Sequence, residues 1–164
     1  MSKHRFGHDL SEKKKENLLS GIYVGSILIT LAVIFIVQSS LWNQLVDFFT
    51  SMTLAPVPGT SVALPAPSNP TAYFELYMAV FEFTITVGAI EVVVLILRVL
   101  LDSPVQRKAE TIENIVFWLG TSFLIITYLV NMTIAGEWFV FWAGVILITG
   151  LAFLARSFVL LAQR

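Results

Sequence analysis

The chain has 164 residues, of which 57% are hydrophobic and 13% are charged, and its mean hydropathy is +0.83. Soluble domains carry about 25% charged residues, so we expect lipid to cover the apolar surface of this chain. The net charge of −1 favours no nucleic-acid partner, and the absence of cysteine excludes disulfides, thiol catalysis and cysteine-ligated metals.

Four segments are long and apolar enough to cross a bilayer, whose hydrocarbon core of ~30 Å takes about 20 helical residues. They are Leu18–Val37, Tyr73–Leu101, Ile112–Asn131 and Trp138–Leu161. The length of the chain suits one compact unit. The sequence therefore predicts an all-α integral membrane protein, with residues 1–164 forming a single membrane domain and the four transmembrane helices forming an antiparallel bundle.

The positive charges predict the orientation of the four spans. All ten lysine and arginine residues lie at the same end of the pattern. The two loops on the opposite side, 38–72 and 132–137, contain none. By the positive-inside rule, both termini and the 102–111 loop lie in the cytoplasm, and we expect the plasma membrane as the location. The run Lys13–Lys15 is expected to attract anionic lipid headgroups.

The 38–72 loop is predicted to begin with an amphipathic helix and to continue as an extended strap. Apolar residues recur at the spacing of one helix face, at Leu41, Leu45, Phe48, Phe49 and Met52. Five of the six prolines follow, and they exclude a second helix. The helix either lies along the outer membrane surface or caps the bundle. The strap either returns the chain to the second span or docks a partner.

Aromatic residues are expected near both membrane surfaces. Trp42, Trp138 and Trp142 are predicted to mark the outer interface, and Trp118 and Tyr23 the inner one.

The second span contains ionisable residues that are costly in lipid, at least ~2.5–3.5 kcal/mol each at a helix centre. Helical periodicity puts Glu91 and Arg98 on one face and Glu82 about 180° away. Burial without a cation favours the neutral form of a carboxyl group. Glu82 and Glu91 are therefore the candidate ion or proton site. The alternative for Glu91 is a hydrogen-bonded clamp between helices.

A second polar group is predicted near the cytoplasmic ends of the spans. Arg98, Glu113, Asn114 and Arg156 should lie at similar depth, because the second and fourth spans descend to this level and the third ascends past it. Such a set is typical of a salt-bridge layer between helices. The alternative is that both arginines extend to lipid phosphates.

The outer side carries carboxylates and no basic residue. Asp47, Glu75 and Glu137, together with Glu82, are predicted to form an acidic vestibule that attracts cations. The alternative is that acidic residues are simply what the orientation rule leaves on this side.

The sequence contains no nucleophile–base pair, metal-ligand set or cofactor motif, so we expect a non-enzymatic protein without a cofactor. The dominance of membrane spans favours a structural or accessory subunit, or a self-assembling component, that forms a homo-oligomer or joins other membrane subunits. The alternative is an oligomeric proton or cation channel or transporter that uses carboxylates of the second span. Self-association is needed for this alternative, because four helices rarely enclose a pore.

Overall fold

The computed structural model describes the backbone of residues 2–162 and the side chains of residues 14–162. The helices are α1 (Ser2–Val37), α2 (Leu41–Thr50), α3 (Phe74–Leu100), α4 (Val105–Ile125) and α5 (Glu137–Leu161). Two strands, β1 (Met52–Pro56) and β2 (Ala63–Pro67), lie between α2 and α3. A 3₁₀ turn at Pro70–Tyr73 leads into α3, and a π-helical turn at Ile126–Val130 extends α4.

The prediction of four long apolar helices is confirmed. By length and composition, the stretches that can cross a membrane are Lys14–Val37, Pro70–Leu100, Val105–Val130 and Glu137–Leu161. The first helix is longer than the predicted span Leu18–Val37, since α1 begins at Ser2.

The long helices pack mainly as neighbours in a row, with α1 on α3, α3 on α4, and α4 on α5. Glycines allow α4 to approach both of its neighbours, because a Cβ atom at each would meet a side chain of the facing helix. The contacting pairs are Gly88 with Leu119, Gly120 with Ile148, and Gly144 with Leu124. The rest of the chain covers α1 least, and a Cβ at Gly21 or Gly25 would meet no atom within 4 Å.

The amphipathic helix α2 caps the row, as one of the two predicted alternatives has it. Leu41 is buried against Ile34 of α1 and Leu76 of α3, and the Phe48 ring packs edge-on against Tyr73 at a centroid distance of 5.2 Å. Phe49, predicted on the same apolar face, is not covered by the bundle, since its side chain is 66% exposed. At 3.6 residues per turn Phe49 lies about 80° around the helix from Leu41, outside the narrow face that the bundle covers.

The Pro-rich strap contains no α-helix, but it forms a hairpin and ends in the 3₁₀ turn at Pro70–Tyr73. β1 and β2 pair antiparallel from Met52 with Pro67 to Pro56 with Ala63. Gly59 lies in the turn with a φ of 76°, which favours glycine. Prolines within the strands lack an N–H group, so they restrict pairing with a further strand.

Trp138, predicted to mark the outer interface, is buried beneath this hairpin. Its side chain is 4% exposed, and its indole Nε1–H donates to the Pro65 carbonyl oxygen at 3.2 Å. Trp42 and Trp142 are exposed. Trp118 packs edge-on against Phe83 of α3, with the ring centroids 5.9 Å apart. It therefore lies in the contact between α3 and α4.

Candidate functional site

Glu91 lies at the meeting point of three helices. It is 2% exposed, and Asn114 of α4 donates a hydrogen bond of 2.7 Å from Nδ2 to its Oε1. The hydroxyl group of Tyr23 on α1 lies beside the same carboxyl group, and the Trp118 indole lies beside that hydroxyl. We call Tyr23, Glu91, Asn114 and Trp118 the Glu91 cluster. It connects α1, α3 and α4.

Every polar neighbour in the Glu91 cluster is uncharged. Among the side chains of residues 14–162, none forms an ion pair with Glu91. The cation on its own face, Arg98, lies seven residues further along α3, which is about 10 Å along a helix axis. The cost of burying this carboxyl group is therefore reduced mainly by hydrogen bonds, with a smaller contribution from the more distant charge of Arg98.

Arg98 is held by groups other than the predicted ones. Its guanidinium group donates to the carbonyl oxygen of Arg107 at 2.7 Å and to the Thr111 hydroxyl, which is fully buried. Glu16 of α1 lies 3.7 Å from Arg98 and forms its ion pair. Arg98 therefore ties α1 and the start of α4 to the end of α3.

Arg156 of α5 makes two ion pairs with α4 at this level. Its Nη1 donates to Glu113 at 3.0 Å, and its Nη2 lies 3.6 Å from Glu110. Glu110 also accepts a hydrogen bond of 3.0 Å from Arg107. The structure thus brings Arg156 and Glu113 together, whereas Arg98 and Asn114 belong to the α1–α3 side.

No family model, curated protein or solved structure matches this chain. The roles of Glu91, Arg98 and Arg156 therefore follow from their own contacts. No group of three or more potential metal ligands occurs among the residues that the structure describes.

The predicted outer carboxylates are engaged by separate sets of neighbours. Glu75 accepts hydrogen bonds from Ser40 at 3.2 Å and from Gln44. Glu82 accepts one of 3.2 Å from Gln38. An open groove of about 330 Å³ lies beside Glu75, between the end of α1 and the start of α3.

Glu137 and Asp47 serve other parts of the outer side. Glu137 accepts from the backbone N–H of Thr133 at 2.8 Å and from its hydroxyl at 3.1 Å, so it orders the turn that precedes α5. The Asp47 side chain is exposed, and its backbone oxygen accepts from Tyr73. Neither contributes a described hydrogen bond to the groove at Glu75.

Glu82 and Glu91, the predicted ion or proton site, are also separated. Glu82 is exposed and turned towards Gln38, whereas Glu91 is buried towards Asn114. Between their levels, Val87 is fully buried and Leu119 packs against Gly88. Within one chain the two carboxyl groups are therefore separate sites.

Sequence reasoning missed Glu16, Glu110 and Thr111 in these contacts, and it missed Tyr23 and Trp118 as members of the Glu91 cluster. A signal for Glu110 was present, because Glu110 and Glu113 are three residues apart and share a helix face. Glu16 stands in a charged stretch, and nothing local distinguishes it from the solvated residues around it.

Proposed function

We propose that this chain is an integral membrane protein whose four long helices run antiparallel, with both termini in the cytoplasm. Two contacts of α3 with α4 support the antiparallel order. Glu91 contacts Asn114, and Arg98, later in α3, contacts Thr111, which comes earlier in α4. The same relation supports it for α5, where Arg156 meets Glu113. The clustering of basic residues at that end supports the orientation.

Its proposed role is that of a non-enzymatic structural or accessory subunit, or of a self-assembling component, in a membrane complex. The observation that carries this proposal is the open row of helices with an apolar edge on either side. On α1, Ile36 is 79% exposed, and on α5, Ile146 is 76% exposed. The internal polar groups, by contrast, are used in contacts between the chain's own helices. Apolar edge helices with small residues are suited to packing against further membrane helices.

The test is the composition and size of the particle after extraction in a mild detergent, measured by native mass spectrometry and light scattering. We expect a discrete homo-oligomer or a stable complex with other membrane proteins. Gly25→Leu and Gly150→Leu alter the two edges at positions where a Cβ meets no atom of the chain within 4 Å, so the variant that weakens the complex identifies the edge in use. A monomer in both detergent and lipid nanodiscs over a wide concentration range would overturn the proposal.

A second candidate function is proton or cation transport by an oligomer. The observation that favours it is a buried carboxyl group, Glu91, whose described hydrogen-bond partners, Tyr23 and Asn114, are uncharged. Buried ionisable residues in membrane helices often mark proton or ion sites. Because Glu82 lies on another face, the second half of such a path would come from another copy of the chain. Flux in proteoliposomes distinguishes this function from the structural one.

A further inference from the structure

We infer that Glu91 is a proton-binding site that exchanges its proton with the Arg98 side of the chain and is closed towards the other side. The ligand is a proton, held on a carboxyl oxygen inside the helix row. This inference rests on the proposed insertion into a membrane. It does not depend on whether the chain assembles with other copies.

Among the side chains of residues 14–162, no cation forms an ion pair with Glu91, and the charge of Arg98 acts on it only from a distance. From α1 it faces the Tyr23 hydroxyl, and from α4 the Asn114 amide. Arg98 on its own helix is paired with Glu16 of α1. A carboxylate without a cation is unfavourable in the bilayer, so Glu91 binds a proton.

Arg156, the cation that contacts α4 from α5, does not neutralise the charge of an ionised Glu91. Arg156 of α5 is held between Glu113 and Glu110. Those two carboxylates share the Arg156 face of α4, while Asn114 faces α3. The charges at that level therefore balance one another without Glu91.

A polar route leads from Glu91 towards the 102–111 loop. Thr111 and Arg98 follow Asn114 in this direction, and Glu16 lies beyond them. Both carboxylate oxygens of Glu16 and the Nε of Arg98 are buried, and among the side chains of residues 14–162 they have no hydrogen-bond partner. Groups of this kind are normally satisfied by water, and hydrogen-bonded water would carry protons along this side.

The opposite direction from Glu91 is closed by apolar packing. Leu119 fills the space at Gly88, and Val87 is fully buried. Thr84 donates to the Phe81 carbonyl at 3.0 Å and Ser122 donates to the Leu119 carbonyl at 3.1 Å. The hydroxyl groups of Thr121 and Tyr77 are also buried on this side, and neither has a hydrogen-bond partner among the described residues. The route by which polar groups lead from Glu91 to a charged pair, Arg98 with Glu16, therefore lies on the other side.

Infrared spectroscopy tests the proton directly, because a neutral carboxylic acid has a C=O stretching band that a carboxylate lacks. The full chain is placed in vesicles of ether lipids, which have no ester carbonyl groups. We expect a band in the wild type that is lost in Glu91→Gln and kept in the matched control Glu82→Gln. A wild-type spectrum identical to that of Glu91→Gln would overturn the proton site.

The sidedness is tested in right-side-out and inverted vesicles, sorted by protease access to an N-terminal tag. Raising the pH on the side of the N-terminus should reduce the Glu91 band severalfold, and raising it on the opposite side should leave the band unchanged. A band that follows the opposite compartment, or that responds to neither, would overturn the one-sided access.

Alkaline carbonate extraction distinguishes absence of the proton site from absence of the proposed membrane insertion. A chain released by carbonate would overturn the membrane assignment and this site together. An embedded chain without the Glu91 band would overturn this site alone.

Discussion

Asn114 donates a hydrogen bond of 2.7 Å to Glu91, and the next residue towards the N-terminus, Glu113, accepts one of 3.0 Å from Arg156. Consecutive residues of a helix point about 100° apart, so these two reach α3 on one side and α5 on the other. The pair makes α4 the helix that holds the row together. Loss of either contact should weaken the packing of α4 against one neighbour and leave its packing against the other unchanged.

The ion pair of Arg156 is expected to stabilise the contact between α4 and α5. Arg156→Gln should lower the free energy of unfolding in detergent by about 1.5–3 kcal/mol, the range for hydrogen bonds to charged groups. We expect a value near the lower end of this range, because 33% of the Arg156 side chain is exposed. Arg98→Gln should also destabilise, because it leaves Glu16 without its cation. Thermal unfolding measures both effects, with exposed Lys15→Gln as the control. If neither arginine variant changes the midpoint, the arginines extend to lipid phosphates.

Gly88 is expected to be required for the close approach of α3 and α4. In Gly88→Ala the new Cβ would overlap with the side chain of Leu119, and overpacking of this kind costs about 1–3 kcal/mol. Gly25→Ala is the matched control on α1, where a Cβ meets no atom within 4 Å and alanine favours the helix. Thermal unfolding in detergent should show a lower midpoint for Gly88→Ala and an unchanged or higher one for Gly25→Ala. The reverse order would contradict the packing described for α3 and α4.

The hairpin is expected to depend on Trp138. Trp138→Phe removes the donor to the Pro65 carbonyl, a bond that contributes about 0.5–1.5 kcal/mol net, and leaves a smaller side chain beneath the strands. Limited proteolysis within the turn at residues 57–62 should become faster. Trp142→Phe is the control, because that side chain is 49% exposed and donates no described hydrogen bond to the hairpin. Equal cleavage of both variants would show that this contact does not hold the hairpin.

The orientation can be tested by single-cysteine labelling, since the natural chain has no cysteine. An impermeant maleimide applied from outside intact cells should label Thr60→Cys in the hairpin turn and Ala135→Cys before α5. Gln106→Cys, at the start of α4, should react only after the membrane is opened. All three side chains are exposed in the structure. External labelling of Gln106→Cys with protection of Thr60→Cys would reverse the proposed topology.

The long helices were predictable because the property that defines them is local. Any run of about 20 apolar residues is readable without knowledge of its neighbours. The hairpin was not predictable in this way, because it depends on a contact between Pro65 and Trp138, 73 residues apart. Its prolines also argued against strands, whereas the observed pairing tolerates them in a hairpin with free edges.

For the candidate site, the sequence predicted which polar residues take part better than it predicted which of them contact each other. Periodicity correctly set Glu91 apart from Glu82 around α3, since the two make contacts on different sides. It did not say which helix Glu113 and Asn114 each face, because that depends on the order of helices in the row. Glu16 was missed because its role exists only where α1 passes Arg98.

The last prediction separates the structural and transport functions at Glu91. Glu91→Gln keeps the shape of the side chain and its acceptor for the Asn114 amide, but it cannot ionise. If Glu91 is a neutral clamp, the variant should fold and assemble as the wild type does. If Glu91 carries protons or cations in an oligomer, the variant should fold normally and lose the flux that wild-type proteoliposomes support.

Stability and flux are therefore measured on the same two preparations, the wild type and Glu91→Gln. A destabilised Glu91→Gln would instead indicate that the ionised carboxylate is paired with a cation, because removing one partner of a buried pair costs ~3–5 kcal/mol. Wild-type liposomes with no proton or cation flux above empty controls, over a range of pH and with either sign of membrane potential, would exclude the transport function for this chain alone. The uncharged contacts of Glu91 with Tyr23 and Asn114 would then act as the clamp that joins α1, α3 and α4.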